Sequence, residues 1–272
     1  MKRKKSRADS GRKRGTIYLI LMIAVIGILV ARLLDLEYYA FFLCALTLLF
    51  FHIPRFVDRK LNVKLPGALE SVILLFIFAA EILGEIGSFY THIAWWDSML
   101  HTINGFLMAA IGFALIDILN NSPKFHISLS PVFVAFVAFC FSMTVGVVWE
   151  FFEFAMDSLT ATDMQKDFLV NTISSVELNP SGLNDPIRLR GITETVIRHA
   201  DGEYVVQGGY LDIGIVDTMK DLIVNCIGAI VFSIIGYLYI IGRNKGIFAA
   251  RFIPQMKTPE EIASEGKPKG SA

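Results

Sequence analysis

Cysteine is scarce in this chain. The three present, Cys44, Cys140 and Cys226, are scattered through apolar runs. They form neither a metal-ligand spacing nor a disulfide framework, so they carry no information on redox compartment. Charge is also thin. Of 272 residues, 18% are Asp, Glu, Lys or Arg and 54% are hydrophobic, which argues against a soluble domain and for a membrane protein. No nucleic-acid module and no internal repeat is present. Residues 87–96 contain neither Lys nor Arg, and that gap bears on topology.

What is there is a series of long apolar runs, 16–34, 38–53, 65–86, 98–119, 131–157 and 217–241. Each is near the ~20 residues a helix needs to cross the hydrocarbon core. The first follows a basic head. Its length, and the bulky Leu29 where signal cleavage wants a small residue, make it an uncleaved anchor rather than a signal peptide. The expected fold is an all-α integral membrane protein, a bundle of about six transmembrane helices. A basic cytoplasmic tail (1–15) precedes the helical domain (16–241), and a second cytoplasmic tail (242–272) follows, disordered from Thr258.

The net charge of zero hides an asymmetry that sets orientation. With the N-terminus inside, segments 1–15, 54–64, 120–129 and the tail after Gly242 carry eight, four, one and six basic residues, or 19 of 25. Basic residues accumulate on the cytoplasmic side, so both termini belong there, in a cell (inner) membrane. The long segment 159–215 then lies outside. Within it, Asp201-Gly202 between two β-prone stretches predicts a hairpin with a type I′ turn, and Asn179-Pro180-Ser181-Gly182 reads as a turn.

Carboxylates stand at the ends of these runs. Glu150, Glu153 and Asp157 follow an i, i+3, i+7 pattern and share a helix face. Asp97 and His101, and Asp217, Asp221 and Asn225, repeat the i, i+4 spacing on two other helices. In the deduced topology all three groups lie at the outer end. Glu150 is nineteen residues past Pro131 and Asp221 twenty-two before Arg243, roughly 28–33 Å along a helix and so near the outer interface. Small and polar residues, among them Asn104, Gly105, Ser142, Gly146 and Gly228, continue these faces inward and favour close helix packing.

Six crowded carboxylates in a low dielectric need protons or a cation. Asp97, His101, Glu150, Glu153, Asp157, Asp217 and Asp221 are therefore candidate metal ligands, with His101, Glu150 and Glu153 candidate catalytic groups. Oxygen ligands with a single imidazole suit Mg²⁺, Mn²⁺, Ca²⁺ or Zn²⁺. Plainer readings stand beside these. Asp97 and Asp217 fit helix N-caps; Tyr90, Trp95 and Trp96 fit an interfacial aromatic belt; His92, His126 and His199 fit loop surface; Glu81 and Glu85 fit structural pairing with Arg32. Acids at a helix C-terminus, where the dipole opposes them, are not explained by capping.

The same residues carry a resemblance. Trp96-Asp97-x3-His101-x3-Gly105-Phe106, Trp149-Glu150-x2-Glu153-x3-Asp157, Met164-Gln165 and Asp217-Thr218-x2-Asp221-x3-Asn225-x2-Gly228-Ala229 resemble the blocks of the YjdF-like family of bacterial inner-membrane proteins. More remotely, the order is similar to VanZ-like proteins. The resemblance covers roughly residues 60–240 and implies the membrane architecture and the polar cluster; it names no reaction.

Three function classes follow. A metal-dependent enzyme would act on lipid headgroups or lipid-linked envelope precursors, since the acids sit at headgroup depth. A transporter would place its site near the midplane with broken helices and inverted repeats; these acids are shallow, and the helices around 98–119 and 217–241 lack Pro. A scaffold would use the acids only to fix packing.

Overall fold

The computed structural model describes residues 2–60 (backbone only as far as 14), 63–120, 128–160, 162–242 and 249–257. His126, Arg243 and the tail from Thr258 lie outside these residues. In chain order the elements are α1 (Lys2–Leu34), α2 (Tyr38–Phe50), α3 (Ile53–Lys60), β1 (Val63–Lys64) and α4 (Gly67–Ile77), which continues as a π-helix (Phe78–Ile86). Then come α5 (Phe89–His92), α6 (Trp96–Asn120) and α7 (Pro131–Thr160), and six short strands. These are β2 (Leu169–Val170), β3 (Thr172–Ser175), β4 (Ile187–Arg190), β5 (Glu194–His199), β6 (Gly202–Gln207) and β7 (Tyr210–Leu211). Helix α8 (Ile215–Ile241), a 3₁₀ turn (Ala249–Arg251) and β8 (Gln255–Met256) complete the chain.

Among the described residues six helical stretches are long and apolar enough to span a bilayer: Gly15–Leu34, Tyr38–Lys60, Gly67–Ile86, Trp96–Asn120, Pro131–Thr160 and Ile215–Ile241. The chain is thus an all-α membrane protein of six spans, as expected where backbone groups must be satisfied without water. The second span is longer than its apolar run because α3 follows α2 after a two-residue turn. Side chains such as Leu19, Ile23, Phe42, Phe136, Ile230 and Ile234 point outward, as a lipid-facing surface requires. Two compact units partition the chain, Met1–Gly146 with Val224–Ala272, and Val147–Ile223.

In the first unit, α1, α2 and α4 pack through Tyr18, Val25, Cys44, Phe51 and Leu74. Lipid tails are as apolar as these side chains, so dispersion and close approach hold spans together, not release of water. The closest approach is between α6 and α8. A Cβ on Gly105 would run into the carbonyl oxygen of Asn225, and one on Gly228 into that of Thr102. Further along, Phe232 stands edge-on to Phe106 and Phe113, so α6 and α8 run side by side in the same direction. Asn225, fully buried, ties three helices. Its Oδ1 accepts from Asn104 Nδ2 at 3.2 Å and its Nδ2 donates to the Ser142 carbonyl at 3.5 Å, while Ser142 Oγ donates to the Gly105 carbonyl at 2.8 Å.

Residues 249–257, beyond the last span, pack into the first unit. Ile253 is buried in the core of the first unit and Phe252 meets Phe106 edge-on. Strand β8 pairs antiparallel with β1, Val63 opposite Met256 and Lys64 opposite Gln255.

In the second unit, β5 and β6 form the expected hairpin, with His199 opposite Gly202. The turn differs by one residue from the sequence reading. Ala200 and Asp201 are the loop residues and neither has positive φ; Gly202, at φ +146°, opens β6. The turn is therefore not type I′, because glycine takes the strand position rather than the turn centre. The turn at Asn179 is as expected: Asn179 Oδ1 accepts from Ser181 N, and Gly182 has φ +67°. Strands β2 and β7, and β3 and β4, make two further antiparallel pairs.

Candidate functional site

The first unit holds Asp97 and His101 on α6. One helical turn apart, their side chains approach each other, Asp97 Oδ1 lying 3.6 Å from His101 Nε2. His101 is buried and Asp97 is half-buried. Asp97 stands in the first turn of α6, one residue inside the helix start at Trp96, rather than at the cap. The dipole favours a carboxylate there all the same. Trp96 is buried against Phe89 with ring centroids 4.8 Å apart, whereas Trp95 is exposed, so of the aromatic belt residues Trp96 is a packing residue. Arg32 makes a 2.8 Å ion pair with Glu37.

The second unit holds the other acids. Glu150 and Glu153 on α7 and Asp217 and Asp221 on α8 are all buried, Asp221 to 2% exposure. Trp149 Nε1 donates to Glu153 Oε1 at 2.8 Å, which fixes that carboxylate one turn along α7. Lys, Glu and Asp are rarely this buried without partners, and each of these acids has interactions.

Asp157 and Asp217 are brought onto one short loop. Asp157 Oδ1 accepts from Met164 N at 2.6 Å and from Thr162 Oγ1 at 2.9 Å, while its Oδ2 accepts from Gln165 N at 2.8 Å. Asp217 Oδ2 accepts from Lys166 N at 2.8 Å, and Gln165 Nε2 donates to Thr218 Oγ1 at 2.6 Å. Asp217 is thus not the N-cap of α8, which starts two residues earlier. That role falls to Asp212, missed in the sequence: Oδ2 accepts from Val216 N and Oδ1 from Phe168 N, both at 2.6 Å. Its signal was the turn-forming Asp212-Ile213-Gly214, where Ile213 and Gly214 both have positive φ. Lys220 Nζ lies 4.4 Å above the Phe168 ring. Residues 162–168 are therefore a strap held by three carboxylates between the end of α7 and the start of α8. Asp167, on this strap, has its carboxyl pushed above the usual range, first by burial and then by Asp163, Asp212 and Asp157.

Chemically, the set offers one imidazole and several carboxylates in apolar helices, groups able to hold a metal ion. Both Asp157 oxygens and Asp217 Oδ2 already accept from amides of the strap. Residues 16–242 match the family described as "Predicted membrane protein (DUF2238)". No curated protein and no solved structure matches the chain.

Proposed function

The chain belongs, over residues 16–242, to the DUF2238 family of predicted membrane proteins, the YjdF-like family it resembles, and from that premise we propose that it is a metal-dependent enzyme of the membrane surface. Asp97, His101, Glu150, Glu153 and Asp221 hold one divalent cation, Mg²⁺, Mn²⁺, Ca²⁺ or Zn²⁺. Glu150 or Glu153 serves as general base toward water, and the substrate is a lipid headgroup or a lipid-linked envelope precursor. The site lies at the outer interface, with both termini cytoplasmic.

One observation carries the reading. Asn225 locks α6, α7 and α8 together at Gly105, Gly146 and Ser142; a Cβ on Gly146 would sit 2.8 Å from Asn225 Nδ2. A step of four residues, ~6 Å along each helix, leads from Gly105 to His101, from Gly146 to Glu150 and from Asn225 to Asp221. The i, i+4 relation keeps each pair on one face. His101, Glu150 and Asp221, each buried, thus lie one turn along from these positions, each on its own helix. A cation would offset the repulsion and desolvation that such a carboxylate set otherwise incurs.

The test is metal content of the purified protein, with thermal stability in detergent measured with and without divalent ion. A metal bound only by the native state stabilises by about 2.7 kcal/mol at a hundredfold excess over Kd. Glu150→Gln and Glu153→Gln should each lower metal content and this stabilisation while the protein still inserts. Wild type with no metal and no ion response removes the reading. The amide-filled Asp157 and strap-bound Asp217 favour a second reading, in which the acids are structural; then the Gln variants keep wild-type stability, since a protonated carboxyl and an amide hydrogen-bond alike. Turnover of headgroup lipids is assayed once metal is found.

A further inference from the structure

Helix α3 combines features that the proposed site does not use. It ends the second span, Tyr38–Lys60, so its basic end at Arg59 and Lys60 lies at a bilayer surface. Its sequence, Ile-Pro-Arg-Phe-Val-Asp-Arg-Lys, divides sharply by face. Pro54 is buried and Val57 packs with Leu65 and Leu69, while Ile53, Arg55, Phe56, Arg59 and Lys60 are exposed, Phe56 to 60%. The one acid of the helix, Asp58, is neutralised from the tail: Lys257 Nζ lies 2.9 Å from Asp58 Oδ2, with the lysine side chain 3% exposed. What α3 presents is therefore a cationic and apolar face. Arg55 is held in place by its guanidinium, 3.8 Å above the Tyr18 ring of α1.

We propose that the exposed face of α3 is a docking surface for anionic phospholipid headgroups. Ile53 and Phe56 enter the boundary between headgroups and acyl chains, and Arg55, Arg59 and Lys60 bind phosphate. Guanidinium groups suit phosphate because their paired N–H donors match its oxygens. Charge complementarity and the anchoring of α3 at the end of a span favour lipid over a soluble acidic partner. The C-terminal clasp has a part in this: by neutralising Asp58, Lys257 keeps the face uniformly positive.

The experiment uses the full chain in neutral detergent, its melting temperature followed as phosphatidylcholine micelles are replaced by phosphatidylglycerol. Phosphatidylglycerol should raise the melting temperature and phosphatidylcholine should not. Arg59→Gln with Lys60→Gln should leave the phosphatidylcholine value unchanged. The same double variant should raise the phosphatidylglycerol concentration for half effect roughly fivefold per cation removed, as about 1 kcal/mol per basic residue implies. If the double variant melts early in phosphatidylcholine, Lys60→Glu alone replaces it, with the same expected weakening. Equal responses to the two lipids, or a full phosphatidylglycerol response in the variants, overturn the proposal. So does an equal, Arg59- and Lys60-dependent stabilisation by soluble polyglutamate, which would make the face a site for acidic protein.

Discussion

Asn225 illustrates how little polarity a membrane core needs to fix a packing. Its side chain bonds to Asn104 and to the Ser142 carbonyl, and its backbone is where Gly105 comes closest. Replacing it with Leu keeps the size but strands the Asn104 amide. Hydrogen bonds between membrane helices average about 0.6 kcal/mol, so Asn225→Leu should cost roughly 1–2 kcal/mol in thermal stability in detergent. Gly105→Ala should cost more. The obstruction is backbone, so α6 and α8 must part for the methyl group to fit, and the loss spreads over every contact between them. A melting temperature for Gly105→Ala at or above that of Asn225→Leu would contradict this ordering. Both residues were visible in the sequence as small or polar positions on long apolar runs. Which carbonyl each one meets was not, because such contacts join residues 120 positions apart and periodicity reports only the face.

At the scale of elements, the spans were legible and the connections only partly so. A spanning helix declares itself by some twenty apolar residues, and the six runs became six helices with ends shifted by a few residues. The strap could not be read that way. Asp157 and Asp217 share spacing with Glu150 and Asp221, but spacing does not tell that both Asp157 oxygens and Asp217 Oδ2 accept from amides of 164–166. Asp212, with both oxygens occupied by Phe168 N and Val216 N, is the most informative position. Asparagine has one acceptor oxygen where aspartate has two, so Asp212→Asn must release one amide. It should speed deuterium exchange and proteolysis at 162–168, with about 1 kcal/mol lost; unchanged exchange there would refute the strap. The same loop predicts a pH dependence. Because folding raises the Asp167 pKa, the folded state holds more protons than the unfolded one between about 3.8 and the raised value. Stability contributed by this group is therefore greatest below that window and falls as pH rises through it. Asp167→Asn should be the more stable protein above the window, and the difference should vanish below it. Parallel stability profiles for the two proteins would show that the repulsion from Asp163, Asp212 and Asp157 is screened away. Segment 249–257 is a third element that composition concealed: Phe252, Ile253 and Lys257 are too few to give a period, yet each finds a partner in the first unit.

For the whole molecule, we propose that all six candidate spans cross, which by parity would put the two termini on the same side of the bilayer. Which side is a separate question, and only the basic residues address it: 19 of 25 fall in segments that would be inside if the N-terminus is inside. Moving those 19 outward would oppose the bias that sets orientation during insertion. We therefore expect residues 159–215, including the hairpin, outside. The check is a cysteine introduced at Asn184, exposed in the loop before β4, with Cys44, Cys140 and Cys226 replaced. A membrane-impermeant maleimide should modify it in intact cells. A second cysteine at Lys60, at the opposite end of the second span from Tyr38, should react only after permeabilisation. Each probe controls the other: a leaky preparation labels both, and a misfolded one alters both. Reversed labelling would turn the molecule over and bring the strap, with Glu150, Glu153 and Asp221, to the cytoplasmic face. The metal proposal would survive that result, because it rests on burial and spacing alone. The substrate proposal would not, since precursors displayed on the outer leaflet could no longer reach the site, and headgroups of the inner leaflet would take their place.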